Sequence, residues 1–266
     1  MEQSDTRSAQ FVAARQQARG LSSYPGQMPA TLDEAYAIQD SGIEAWPDDI
    51  SGWKVGGIHG DWSERLGTRR LAGPVFRKTV HQYAGPRIDM PVFAEGFAAV
   101  EGEVTAVLAM DAPANKTSYT TAEALDLVEA LHIGVEIASS PFAEINDHGP
   151  LVTISDFGNN YGLILGPEIP NWREMEIEDW VFSTQINGEL VGEAAPTAIP
   201  GGPIDSVRFL LENVARRGRP AKAGMMILTS AVTGVHRAYS GDEAAVSMNG
   251  SEPITCRLIP EKPVKS

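Results

Sequence analysis

Residues 100–108, VEGEVTAVL, constrain this chain more than any other stretch. Alternate side chains of a strand point the same way, so Glu101 and Glu103 share a face, roughly 6–7 Å apart along the chain. Val104, Ala106, Val107 and Leu108 then fill both faces with apolar groups, the pattern of a strand covered on both sides. A carboxylate in such a layer needs a partner. The stretch therefore asks for a layered fold and for something that neutralises two adjacent glutamates.

The rest of the chain supplies the layers. Residues 8–19 set apolar and basic positions at helical spacing, and LSSYPGQMP reads as a linker. Residues 31–46 open a second helix with a capping box, Thr31 as N-cap and Glu34 three positions on. Residues 1–50 are thus expected to be a helical segment packed on a main domain of residues 51–266. GWKVGGI is a short, glycine-bounded strand signal, residues 59–95 read as irregular, and residues 97–110 form the strand above. TTAEALDLVEALHIGVEIASS reads as one helix, boxed by Thr120 and Glu123, running into a buried strand over residues 133–138. Later come the short apolar run YGLILG, a hairpin turning at Asn187-Gly188, a helix closed by Gly218, and the strand AGMMILTS. Short strands with few helices give the fold class α+β, on a rolled and largely antiparallel sheet.

Charge narrows the partners. With 35 acidic against 21 basic residues the net charge is -14, which speaks against nucleic acid or an anionic membrane as the main partner. An anionic substrate would need local positive charge, from a metal or from a few Lys and Arg. The single cysteine, Cys256, rules out an internal disulfide framework and suits a reducing compartment. The N-terminus has no apolar stretch of signal-peptide length, so the cytoplasm is the expected location.

Glu136 interrupts the apolar run HIGVEIA and joins Glu101 and Glu103 as a third carboxylate on a buried strand. Taken singly, each could be a solvated or strand-end charge; three together suggest one site. If they converge, repulsion raises their pKa values unless a cation is present. Oxygen-only ligands without His or Cys select Mg²⁺ or Mn²⁺ first, then Ca²⁺, with Zn²⁺ last. Lys54, between glycines in GWKVGG, is either a snorkelling surface lysine or a catalytic one whose pKa a metal and desolvation would lower. In SDFGNNYG, Asp156, Asn159 and Asn160 stand ahead of a buried strand, at an expected pocket mouth. Arg69, Arg70, His236 and Arg237 are further candidates for holding a carboxylate, or solvated charges.

Read in order, LDEAYAIQD, GWKVG, RLAGPVF, VEGEVTAVL, GVEIASS, ISDFGNNYGLILG, the segment from GGPIDSVRFLLENVARRGRP to AVTG, and SGDEAAVSMNG resemble the fumarylacetoacetate hydrolase superfamily. Within it they resemble the 2-keto-4-pentenoate hydratase and 4-oxalocrotonate decarboxylase branch, over about residues 31–258. The resemblance implies a distorted mixed β-roll or barrel with flanking helices. It implies Mg²⁺ or Mn²⁺ held by Glu101, Glu103 and Glu136, with Lys54 as active-site lysine; Asp156, or a metal-bound water, is the next candidate for a catalytic proton. Asn159, Asn160 and Arg237 are then expected to bind a small 2-oxo acid, in a homo-oligomer. The family reaction adds water to a 2-hydroxy-2,4-dienoate in the breakdown of aromatic compounds. Three positions depart from the pattern: Ala138 and Ser139 follow the third glutamate where an acid is common, Phe157 replaces an amide, and Leu71 stands in a segment lacking the usual acid.

Hydration by a metal-dependent carbon–oxygen lyase leads the resulting expectations. A 2-oxo-acid decarboxylase, or an acylpyruvate hydrolase using His59 or His81 with a glutamate, are alternatives on the same scaffold. A non-catalytic partner subunit is the alternative of a different class.

Overall fold

The structure is a computed structural model, and residues 5–264 are described. Helix α1 (Thr6–Gln16) begins where the Asp5 carboxylate accepts the backbone N–H groups of Arg7 and Ser8. Helix α2 (Leu32–Ala45) begins where Thr31 Oγ1 accepts that of Glu34 at 3.2 Å. Only half of the expected capping box forms there, because Glu34 gives its carboxylate to the Ala30 N–H and to Arg7.

The chain enters β1 (Ile50–Gly57), crosses a short helix α3 (Asp61–Leu66) and returns antiparallel as β2 (Arg70–Phe76). Strands β3 (Val80–Gln82) and β4 (Ile88–Val92) follow. Much of the stretch expected to be irregular is therefore ordered, in elements too short to show a period. Strand β5 (Phe97–Leu108) carries the first two glutamates, and after it α4 (Thr121–Leu125) is capped by the complete Thr120–Glu123 box. The helix expected beyond residue 125 does not continue. Strand β6 (Val128–Ser140) starts there instead, because it pairs along its length with β5 and these ladder bonds override a weak local preference for helix.

Helix α5 (Pro150–Ser155) leads to β7 (Asn160–Glu168), which pairs with β6. Strands β8 (Phe182–Ile186) and β9 (Glu189–Ala194) form the expected hairpin, with Asn187 and Gly188 at φ 52° and 82° as a type I′ turn requires. Helix α6 (Gly202–Arg216) buries Val207, Leu210, Leu211 and Val214 on one face. The chain closes with β10 (Met226–Ala231), β11 (His236–Arg237), β12 (Glu243–Met248) and β13 (Ile254–Pro260).

These strands make two sheets. The larger runs β2-β1-β10-β5-β6-β7-β3, with β11 also beside β5, and the smaller runs β4-β13-β12-β8-β9. Pairing is antiparallel except at β1–β10, β3–β7 and β4–β13, so the α+β roll is mixed. The sheets approach at Gly102, where a Cβ would lie 2.9 Å from Thr184 Oγ1 and 3.0 Å from Val246 Cγ1. The triplet Glu-Gly-Glu thus serves two faces: carboxylates on one side, sheet packing on the other. Among the described residues no helix is long and apolar enough to cross a membrane.

Candidate metal centre

Strand register brings the three glutamates together. Glu101 lies directly opposite Glu136 in the β5–β6 ladder, so both project on the face that Glu103 also uses. One carboxylate oxygen from each lies within 4.8 Å of the others, and all three side chains are buried. Lys54 Nζ is 3.1 Å from Glu136 Oε1, which also accepts Asn160 Nδ2 at 2.9 Å. The Ser230 backbone N–H donates to Glu103 Oε2 at 3.2 Å.

The cluster is under-compensated. Burial pushes the Glu101 carboxyl up to about 7 against the pull of Lys54, and Glu136 adds to the rise. Burial, then Glu136 and Glu101, hold Glu103 well above the usual carboxylate range. Burial by itself would lower the Lys54 ammonium, but Glu136, Glu101 and Glu103 outweigh it and hold its pKa above the ordinary lysine value. The lowering expected for Lys54 is therefore not what these carboxylates alone produce. Glu103 Oε1 and Glu136 Oε2 are buried without a hydrogen-bond partner. Three carboxylates against one ammonium, with orphaned oxygens converging, fit a divalent cation.

The centre opens into a cavity of about 850 Å³ whose wall includes Lys54, Glu101, Asn159 and Ser230. Asn159 reaches the wall because Phe157, Gly158 and Asn159 take left-handed φ values of 54°, 64° and 63°, folding the chain tightly against Gly73 of β2. Its Oδ1 is buried and unpartnered. Gly56, Gly57, His59, Trp62, Arg69 and Leu71 form part of the same wall.

Other expected site residues lie elsewhere. Asp156 is not at the cavity: Arg15 Nε and Nη2 donate to its Oδ1 and Oδ2 at 2.6 and 2.8 Å, and Ser140 Oγ donates at 2.6 Å. This corrects its placement at a pocket mouth, since Asp156 is buried, stands outside the cavity wall and has both oxygens engaged by Arg15 and Ser140. Arg237 is also outside the cavity wall, stacked on Phe97 with its guanidinium bonded to Gly96 O at 3.2 Å. His236 bonds Thr233 O, and Arg70, although it lines the cavity, has its guanidinium taken up by Asp205, Ser206 and Pro200 O. His81 sits on the short β3 strand, away from the wall. Phe157, where an amide was expected, packs edge-on against Trp46 and Phe76 and beneath Arg15. Ala138 is a buried ladder residue.

Two residues escaped the sequence reading. Arg15 shows only as one basic residue in a helix rich in them. Ser230 carries no polar motif, and nothing in LTSAVTG marks its backbone.

No known protein-family model matches the sequence. Over 232 residues, 83% of each chain, it is 25% identical to 2-keto-4-pentenoate hydratase 1 of Dechloromonas aromatica (strain RCB). It is 26% identical to 4-oxalocrotonate decarboxylase of Pseudomonas putida over 106 residues, only 40% of each chain. In structure it matches 4-oxalocrotonate decarboxylase from Pseudomonas putida G7, solved with magnesium and adipate, at TM-score 0.75 over 95% of each chain with 20% identity. This is the fumarylacetoacetate hydrolase superfamily fold. Fumarylpyruvate hydrolase from Pseudomonas aeruginosa, solved with Mn²⁺ and pyruvate, shares the superfamily fold at TM-score 0.57 and 13% identity, over 79% of this chain and 89% of its own. The sequence resemblance within that superfamily is to its hydratase and decarboxylase branch.

Proposed function

We propose that this chain is a divalent-metal-dependent lyase that hydrates a 2-hydroxy-2,4-dienoate through its 2-oxo tautomer. The observation that carries the reading is the convergence of Glu101, Glu103 and Glu136 beside Lys54 at a cavity wall. The three glutamates would hold Mg²⁺ or Mn²⁺, which supplies Lewis acidity to the carboxylate and 2-oxo oxygens of a bound acid. Hydratases and a decarboxylase of this superfamily, with neighbours solved with magnesium or manganese, support that chemistry.

Lys54 is the proton carrier. Its Nζ would deliver a proton to C5 of the dienol as the enol hydroxyl loses its own; water then adds its hydroxyl at C4 and its proton at C3. Asn160 holds Glu136 through the same oxygen that Lys54 touches, so it fixes the lysine's partner. The free Oδ1 of Asn159 is available to accept a bond from the substrate.

Decarboxylation is the second reading, favoured by one observation: Leu71, Ala138 and the Arg15-bound Asp156 leave three positions that could have supplied another acid or base without one. Loss of CO₂ needs its electrons taken up at the 2-oxo oxygen and one proton returned, which Lys54 alone can supply. The hydrolase reading lacks its His–Glu pair, since among the described residues no carboxylate bonds His59, which lines the cavity.

Parallel assays separate these. Mn²⁺-loaded protein should consume 2-hydroxypenta-2,4-dienoate, followed by its ultraviolet absorbance; CO₂ release from 4-oxalocrotonate without dienoate turnover would favour decarboxylation. Mn²⁺ binding with neither activity would favour a partner subunit. We also infer a homo-oligomer; light scattering returning a mass near 28.5 kDa would overturn that.

A further inference from the structure

Ser230 has φ 95°, in the left-handed half of the map, where a side chain is strained and only glycine is at ease. It lies in a break of the β10–β5 ladder: Leu228 pairs with Thr105 and Ala231 with Glu103, and the register shifts between them. Such a conformation persists only where the surroundings over-determine it, and here they do. Thr229 Oγ1 bonds Val104 O at 2.8 Å on one side, and the Val232 N–H bonds Gly102 O at 2.9 Å on the other. The Ser230 hydroxyl itself bonds Val55 O at 3.1 Å, on the strand that carries Lys54.

The outcome of this strain is a backbone N–H aimed at Glu103 Oε2, the carboxylate whose other oxygen is buried and unpartnered. Glycine would satisfy the turn without strain but could not make the bond to Val55. We propose that Ser230 is a positioning residue of the metal centre: its hydroxyl, tied to Val55 O, holds a strained bulge that fixes one oxygen of Glu103 and leaves the other free to bind a cation. One side chain thereby keeps the lysine strand and the carboxylate strand in register at the centre. The residue touches neither cation nor substrate in this role.

This inference rests on the reading that the three glutamates bind a divalent ion. Ser230→Gly and Ser230→Ala test it, with metal-free thermal midpoint and Mn²⁺ calorimetry as readouts and the wild type beside them. Ser230→Gly, which loses the tether but releases the strain, should melt above Ser230→Ala without metal, yet bind Mn²⁺ about tenfold more weakly than the wild type as the bulge relaxes. Ser230→Ala, which keeps the strain and loses the tether, should lose both stability and affinity. Ser230→Gly binding Mn²⁺ like the wild type, or melting no higher than Ser230→Ala, would overturn the inference alone. A wild type that binds no Mn²⁺ would overturn it together with the metal reading.

Discussion

Two buried charge clusters lie against the larger sheet and differ in one respect. Around Asp156, one guanidinium, one hydroxyl and the stacked rings of Phe93, Phe157 and Tyr161 surround a neutral pair whose oxygens are all bonded. Around Glu101, Glu103 and Glu136, one ammonium faces three carboxylates and two oxygens have no partner. The first is complete with the protein's own groups and acts as a fastener between α1 and the start of β7. The second is complete only when something positive is added. Burial of charge therefore does not mark a site by itself; uncompensated charge beside a cavity does.

Glu101→Ala or Glu136→Ala should break the contrast entirely. Calorimetry should show Mn²⁺ binding abolished and turnover lost, while circular dichroism shows a folded chain, because two carboxylates still face Lys54 after either change and the repulsion among the three is reduced. Unchanged Mn²⁺ binding would mean that the cluster is merely structural.

Lys54→Met should reduce turnover by about 10²- to 10⁴-fold, the range of a lost general acid–base group. Mn²⁺ affinity should change little, since the carboxylates remain. Lys54→Arg should fail as well, because with a cation offsetting the three carboxylates an ammonium can release its proton while a guanidinium keeps it. Near-normal turnover in Lys54→Met would reduce the lysine to a packing group.

Arg15→Met tests the other side. It strands the Asp156 carboxylate in the interior and should cost about 3–5 kcal/mol in urea unfolding, the usual loss when one partner of a buried pair is removed. Asp156→Asn with Arg15→Met should recover part of that loss. Turnover per folded molecule should stay close to wild type, and a specific loss of turnover would return Asp156 to the catalytic set.

The smallest effect is a pH dependence that separates the clusters. Burial, partly opposed by Lys54, raises the Glu101 carboxyl from an ordinary 4.5 to about 7, and Glu103 moves the same way. The folded, metal-free chain thus holds protons that the unfolded chain has released. Its stability from this source is full below about 4.5 and is lost as pH rises through about 7. Mn²⁺ competes with those protons, so its stabilising effect should grow over the same window. Thermal melts at both ends of the window, with and without Mn²⁺, check this; a Mn²⁺ effect independent of pH would contradict the raised carboxyls.

Sequence periodicity by itself determined the strand that carries Glu101 and Glu103, the placement of Glu136 on a second buried strand, the Asn187-Gly188 hairpin and the α6 helix. Alternation along a strand and glycine-dependent turns are local properties, and they are readable wherever an element is long enough to repeat. Local pattern failed where partners lie far along the chain. Residues 128–132 look helical until β5 offers them a ladder, and Asp156 looks like a pocket acid until Arg15, 141 positions away, claims it. Glu101 and Glu136 meet only through the β5–β6 register, and Ser230 reaches its strained turn only because Val55, Val104 and Gly102 pin it from three directions. Which carboxylate is satisfied and which is left open is a property of those long-range neighbours, and only the tertiary structure decides it.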